Sequence, residues 1–297
     1  MGGGMGAIDA FVRTFSLMVE AKKLYIPALV FSLLLAPVAA YLLPSEPSFE
    51  ITPNQTTSGD VIIEQYGGDM EGEIIDFLVQ LGKALAILMA ISAVLGSIVQ
   101  YAITKGALLH ESGEEYGIGE LLLDGLKHLP GVIVIELIFM AVAIALASVA
   151  LIPAVLGVLF LPWGAVLILI GVLLLLAILA ITTSMTAIAI PLYADKRRIG
   201  AAFSAFGMVF GNVLSSIAFG VLLWVGVIGV SMIAGSVGFA VDLVFPEGIA
   251  SYASQLLQAP FNALMMEFLT VGGVAFYREL QKMEELKKVD EELLGLA

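Results

Sequence analysis

Two carboxylates stand where water should be scarce. Glu136 and Glu267 each lie inside a long apolar run of a 297-residue chain that is 60% hydrophobic and 13% charged. A carboxyl in hydrocarbon is expensive, so it faces a bundle interior, paired or protonated, and by default marks an ion or substrate path. The chemistry open to this pair is therefore proton or cation binding. Thr182, Thr183 and Ser184 lie at similar depth in another run, and Gln100 and Asn212 add polar groups nearer one membrane face. The residues also permit a structural reading. Glu136 is close enough to the headgroups to reach Lys127 or Arg197, and Glu267 fits a neutral carboxyl hydrogen-bonded between helices.

Other chemistry is sparse. Cysteine is absent, which excludes disulfides, thiolate metal sites and thiol catalysis. The histidines are His110 and His128 alone, and no HExxH pair exists to hold zinc. Neither a GxSxG elbow nor a phosphate-binding or dinucleotide fingerprint is present. The expectation is no catalytic constellation, no cofactor and no metal site. Basic residues are too few and dispersed for nucleic acid. The triplet Lys196-Arg197-Arg198 suits an anionic lipid headgroup, or simply fixes topology.

These residues must be positioned by elements that cross a bilayer. About 20 mostly apolar residues span the ~30 Å hydrocarbon layer. Six such runs occur, near 24–43, 81–104, 130–152, 164–190, 212–235 and 259–278. They are continuous and rich in Leu, Ile, Val and Ala, so they read as helices rather than barrel strands. The expected fold is all-α: a six-span integral membrane protein, with residues 1–280 as one polytopic domain and 281–297 as a helical tail. Every lysine and arginine except Lys83 falls on one side of this arrangement. The loops 44–72, 153–163 and 236–258 carry none. The positive-inside rule then places both termini in the cytoplasm, with the plasma membrane as the expected location. Tyr25, Tyr101, Tyr193 and Tyr277 read as the inner aromatic belt, and Tyr41, Trp163 and Tyr252 as the outer one.

Outside the spans, the long external loop, 44–73 and on to Asp76, is acidic, with Glu46, Glu50, Asp60, Glu64, Asp69, Glu71, Glu73 and Asp76, which suits gathering cations at a pore mouth or simply keeping the loop hydrated. Its FEIT and VIIEQY stretches read as two strands about the turn PNQTTSGD. Asn54-Gln55-Thr56 is a glycosylation sequon in this external segment. In the tail, Leu280, Met283, Leu286, Val289 and Leu293 fall near helical spacing, a stripe for self-docking, dimerisation or a membrane partner.

Three segments resemble one another: from Ala7, from Gly117 and from Arg198. Each reads as a short amphipathic helix, then a breaker or polar residue, then an odd-numbered span. Phe11, Leu122 and Phe203 correspond. The repeat unit is thus one interfacial helix plus two spans, occurring three times, with any symmetry axis along the membrane normal.

The stretch IAIPLYADKRRIGAAFSAFGMVFGNVLSSIAFGVLL resembles a signature of a broad prokaryotic family of six-span membrane proteins. That family includes archaeal proteins of unknown function and the membrane domain fused to some bacterial glycerophosphodiester phosphodiesterases. The resemblance implies fold and topology. It carries over no catalytic residue, because the phosphodiesterase barrel has no counterpart here. Two functions follow as expectations. One is transport or permeation of a small solute, ion or lipid. The other is a non-catalytic scaffold or lipid-binding accessory subunit, with the bilayer, a homo-oligomer or a membrane protein as partner.

Overall fold

The computed structural model describes residues 5–43, 54–58, 61–65, 70–161 and 163–295. The helices are α1 (Met5–Glu20), α2 (Tyr25–Leu42), α3 (Met70–Glu111), α4 (Ile118–Leu159), α5 (Ala165–Lys196), α6 (Ile199–Ala202), α7 (Ser204–Phe210), α8 (Val213–Val244) and α9 (Glu247–Gly295). A 3-10 turn, Lys22–Leu24, links α1 to α2. Six helices are long and apolar enough to cross a membrane, so the chain is an all-α polytopic bundle whose spans are α2, α3, α4, α5, α8 and α9.

The helices overrun the expected spans. α3 and α4 have 42 residues each and α9 has 49. At 1.5 Å per residue this is roughly 60–75 Å, about twice the hydrocarbon layer. The expected loop 153–163 is mostly helix, since α4 runs through Pro153 to Leu159. Likewise, α8 and α9 consume most of the expected loop 236–258. Continuing the helix satisfies backbone groups without calling on water, and this outweighs one missing proline N–H. The second amphipathic segment is fused to its span through Pro130 rather than separated from it. Past residue 280 the tail continues α9 without a break.

Strands β1 (Asn54–Ser58) and β2 (Val61–Gln65) pair antiparallel, Ser58 opposite Val61. Most of the expected turn is therefore strand, NQTTS, where two β-branched threonines favour an extended chain. FEIT lies outside the described residues, as do Glu46, Glu50, Asp60 and Asp69.

Packing among the spans follows a ring. α2 packs on α3 and α9, α4 on α3 and α5, and α8 on α5 and α9. The even spans α3, α5 and α9 also touch one another. Each odd span is thus wedged between two even ones. The short amphipathic helices extend the pattern: α1 packs on α9 and α8, and α6 and α7 pack on α5. Within α4, the amphipathic first turns lie against α3, where Gly125 comes so close that a Cβ there would sit 2.5 Å from the Ile98 carbonyl oxygen. Small residues make the other crossings possible. A Cβ on Gly220 would lie 2.2 Å from the Ala180 oxygen, and one on Gly273 2.1 Å from the Ala187 oxygen. The same holds in the α4–α5 hairpin, where Gly164 meets the backbone of Gly157.

Burial is uneven along the bundle. One end carries Arg13, Lys105, Lys127, Lys196, Arg197, Arg198 and Arg278, and is the basic end. The core gathers in the half toward that end, with Tyr101, Ile135, Phe139, Ile188, Phe219 and Phe276 nearly inaccessible. Phe219 and Phe276 stack at 4.1 Å. Toward the opposite end, apolar side chains such as Met89, Val149, Leu169 and Ile233 are exposed, as lipid contact demands. In its most apolar stretch α9 is 61% buried, against 39% or less for the other spans, which makes it the central pillar.

All three amphipathic segments leave an apolar stripe outside. On α1 it is Ile8, Val12, Phe15 and Val19; on α4, Leu123 and Leu126; on α6 and α7, Ile199, Phe203 and Phe210. The opposite face of α1 (Ala7, Ala10, Thr14, Leu17) is buried against the bundle. Gly6 lies against Met283 and Phe15 against Phe268, so α1 runs antiparallel along α9.

Candidate functional site

Four of the polar residues expected to line a site converge. Two adjoining cavities, of 300 and 370 Å3, share Gln100, Leu269 and Thr270. The smaller adds Ser97 and Glu136; the larger adds Thr104, Thr182, Thr183 and Thr186. Apart from Glu136, on α4, these polar groups come from α3, α5 and α9, the three even spans that touch one another. The helices explain the grouping. Thr182, Thr183 and Thr186 fall on one face of α5 by three- and four-residue spacing.

Hydrogen bonding gives the cavity a polarity. Thr183 donates to the Leu179 carbonyl at 2.8 Å, Thr186 to Thr182 at 2.8 Å and Thr270 to Met266 at 2.7 Å. Hydroxyls whose protons are engaged on their own helices leave lone pairs for a guest. Trp224 takes one such lone pair, donating to Thr183 Oγ1 at 3.1 Å. Ser97 Oγ lies 2.5 Å from the Ala93 carbonyl oxygen and 2.8 Å from Glu136 Oε2. A hydroxyl has one proton. When it goes to Ala93, the contact with Glu136 is made only if the carboxyl carries a proton. A guest that donates hydrogen bonds or carries positive charge finds acceptors here, beside the donors kept by the Gln100 amide and by the Thr104 hydroxyl, which is unpartnered among the described residues.

Toward the basic end, aromatic and charged side chains tie the helices together. Tyr101 stacks on His128 at 4.7 Å and meets Tyr193 edge-on at 5.9 Å. Tyr277 donates to Asp195 at 2.7 Å and accepts from Gln281 at 2.6 Å. Arg13 and Arg278 both reach Glu111, at 3.5 and 3.4 Å, tying α1, α3 and α9 together. This corrects the aromatic-belt assignment. Tyr101 and Tyr277 are fully buried and Tyr193 nearly so, because these rings fill helix contacts instead of facing headgroups. The outer aromatics Tyr41, Trp163 and Tyr252 are exposed. The plug residues were missed in the sequence, although one signal was available. Each even span carries a tyrosine near its basic end: Tyr101, Tyr193 and Tyr277.

Glu267 does not join Glu136. It is 2% exposed and lines a separate groove among α1, α8 and α9. Asn212 also stands apart, since it lies at the α7–α8 turn, donates to the Met208 carbonyl at 2.9 Å and accepts from Lys287 at 2.9 Å. Ser184 is buried and donates to the Ser216 carbonyl, a contact between α5 and α8. Lys196 closes α5, Arg197 takes a left-handed conformation (φ 51°) and Arg198 precedes α6. All three are exposed and form no ion pair among the described residues. His110 lies in the last turn of α3 with Glu20 3.8 Å away. No cluster of three metal-ligating side chains occurs among the described residues.

No protein-family model matches the chain, and neither the curated proteins nor the solved structures compared with it give a match.

Proposed function

We propose that the protein transports a small, hydrogen-bond-donating or cationic solute across the membrane, through the cavity between the even spans. The observation that carries this reading is the meeting of Gln100, Thr182, Thr183, Thr270 and Glu136 around two adjoining cavities between apolar spans. A carboxyl placed there costs stability unless it serves a guest or a proton. The packed tyrosines and the Glu111 ion pairs form the closed gate on one side. The lysine and arginine distribution supports placing that gate, and both termini, in the cytoplasm of a plasma-membrane protein.

The proposal includes a threefold pseudo-repeat. It is supported by the cyclic packing, in which each amphipathic segment rests on the even span before it and α1, first in the chain, rests on α9. Kinship with the six-span prokaryotic family is part of the same proposal and concerns topology alone.

The test is flux. Protein reconstituted into vesicles is assayed for proton, sodium and glycerol movement, and Glu136→Gln should slow the active probe at least tenfold. A Glu136→Gln protein with wild-type flux, or a wild type that moves none of the probes, removes the transport reading. The second reading, a scaffold, is favoured by Leu286 and Val289, which stay exposed on the tail of α9. Deleting 281–297 should then abolish co-purification of a membrane partner, and unchanged recovery would count against it.

A further inference from the structure

The groove holding Glu267 is chemically unlike the central cavity. It measures 530 Å3, within the range of small-ligand sites. Its walls are apolar, with Phe15 and Val19 from α1, Val230 from α8 and Leu264 from α9. Phe15 and Val19 are exposed, so the groove borders the lipid phase. Two charged side chains line it, Lys22 and Glu267. Glu267 Oε1 is buried and has no hydrogen-bond partner among the described residues. The nearby Tyr25 hydroxyl donates instead to the Pro260 carbonyl at 2.9 Å. Lys22 is exposed and forms no ion pair among the described residues. A buried carboxyl without a donor costs free energy that a matched guest returns.

We propose that this groove binds one membrane phospholipid whose headgroup is a primary-amine zwitterion of the phosphoethanolamine kind. Its phosphate meets Lys22, its ammonium donates to Glu267, and an acyl or isoprenoid chain lies on the apolar wall. Charge complementarity within an apolar groove selects this headgroup. The groove offers one cation and one anion, and the headgroup offers the opposite pair. A trimethylated headgroup has the charge but no N–H to give Oε1. A glycerol headgroup satisfies Lys22 and brings no cation. The proposal does not rest on the central cavity, which lies elsewhere in the bundle.

Native mass spectrometry of the full-length chain in mild detergent tests it, with equal amounts of phosphatidylethanolamine and phosphatidylcholine added, and phosphatidylglycerol in a third titration. The wild type should hold phosphatidylethanolamine about tenfold more tightly than phosphatidylcholine, the scale of one charge-assisted hydrogen bond. Glu267→Gln should bring the two to near parity, whereas Lys22→Ala should weaken both alike. Val230→Trp fills the groove and should remove the tight adduct whatever the headgroup. It decides the matter if Glu267→Gln fails to fold. Equal retention of the two lipids by the wild type, preference for phosphatidylglycerol, or an undiminished preference in Glu267→Gln would overturn the assignment. Because vesicle flux depends on Glu136, this result and the transport result can fail separately.

Discussion

At the residue scale, the glycines at helix crossings make the sharpest claims about stability. Gly273→Ala would drive a Cβ to 2.1 Å from a backbone oxygen, where no side-chain rotation relieves it. The helices must separate, and overpacking of this kind costs about 1–3 kcal/mol. The thermal midpoint in detergent should fall by several degrees, while Gly229→Ala, with open space around it, should leave the midpoint unchanged. Glu136, Gln100, Thr182 and Thr183 were legible in the sequence, because a polar residue in an apolar run is informative whatever its partners. Asn212 misled for the same reason. It lies at a turn, where its side chain binds local backbone and a lysine. The tyrosine plug was not legible, since belt and interior both favour an aromatic body with a polar tip. Only the helix face distinguishes them.

At the element scale, α1 is a helix with three faces, buried, apolar and charged. Its charged face holds Arg13 and Glu20. The Ser16 hydroxyl donates to Glu20 and, with Arg13 beside it, holds that carboxyl below its ordinary value of 4.5. A depressed carboxylate contributes stability above the unfolded pKa and loses it as pH falls through the folded one. Protection factors for the last turn of α1, which remove the intrinsic pH dependence of amide exchange, should therefore hold near neutrality and decline modestly once pH drops below about 4.5. Protection factors unchanged between pH 7 and pH 3 would contradict this. Glu111→Gln tests the neighbouring tie. The arginines are partly exposed, so the loss is discounted to about 1 kcal/mol, seen as roughly 2–4 °C in the midpoint. The existence of the spans could be read from composition. Their ends could not, because a polar face with helical period continues a helix as readily as it closes one, and prolines 130 and 153 failed to break it.

At the scale of the whole molecule, the chain's lack of cysteine makes topology directly measurable. A membrane-impermeant thiol reagent should label Ser58→Cys in intact cells and spare Lys282→Cys until the cells are opened. The reverse pattern would invert the bundle and place the tyrosine gate outside. Lys282 is exposed, so labelling there reports side and not damage.

The place of α9 at the centre has a consequence for how the protein is made. Ribosomes deliver α1 first and α9 last, yet α1 lies along α9, and all the other spans except α4 pack on it. The seams among α3, α4, α5 and α8 can close as those helices arrive, but until the final span is inserted the faces that need α9, such as the Ala187 face of α5 that meets Gly273, stand open to lipid. Closure of the bundle, by α1 and α2 onto α9, is therefore a late event joining distant parts of the chain, and slow by that account. Chains stalled or truncated before residue 247 should be cleared by membrane quality control rather than accumulate as partial bundles.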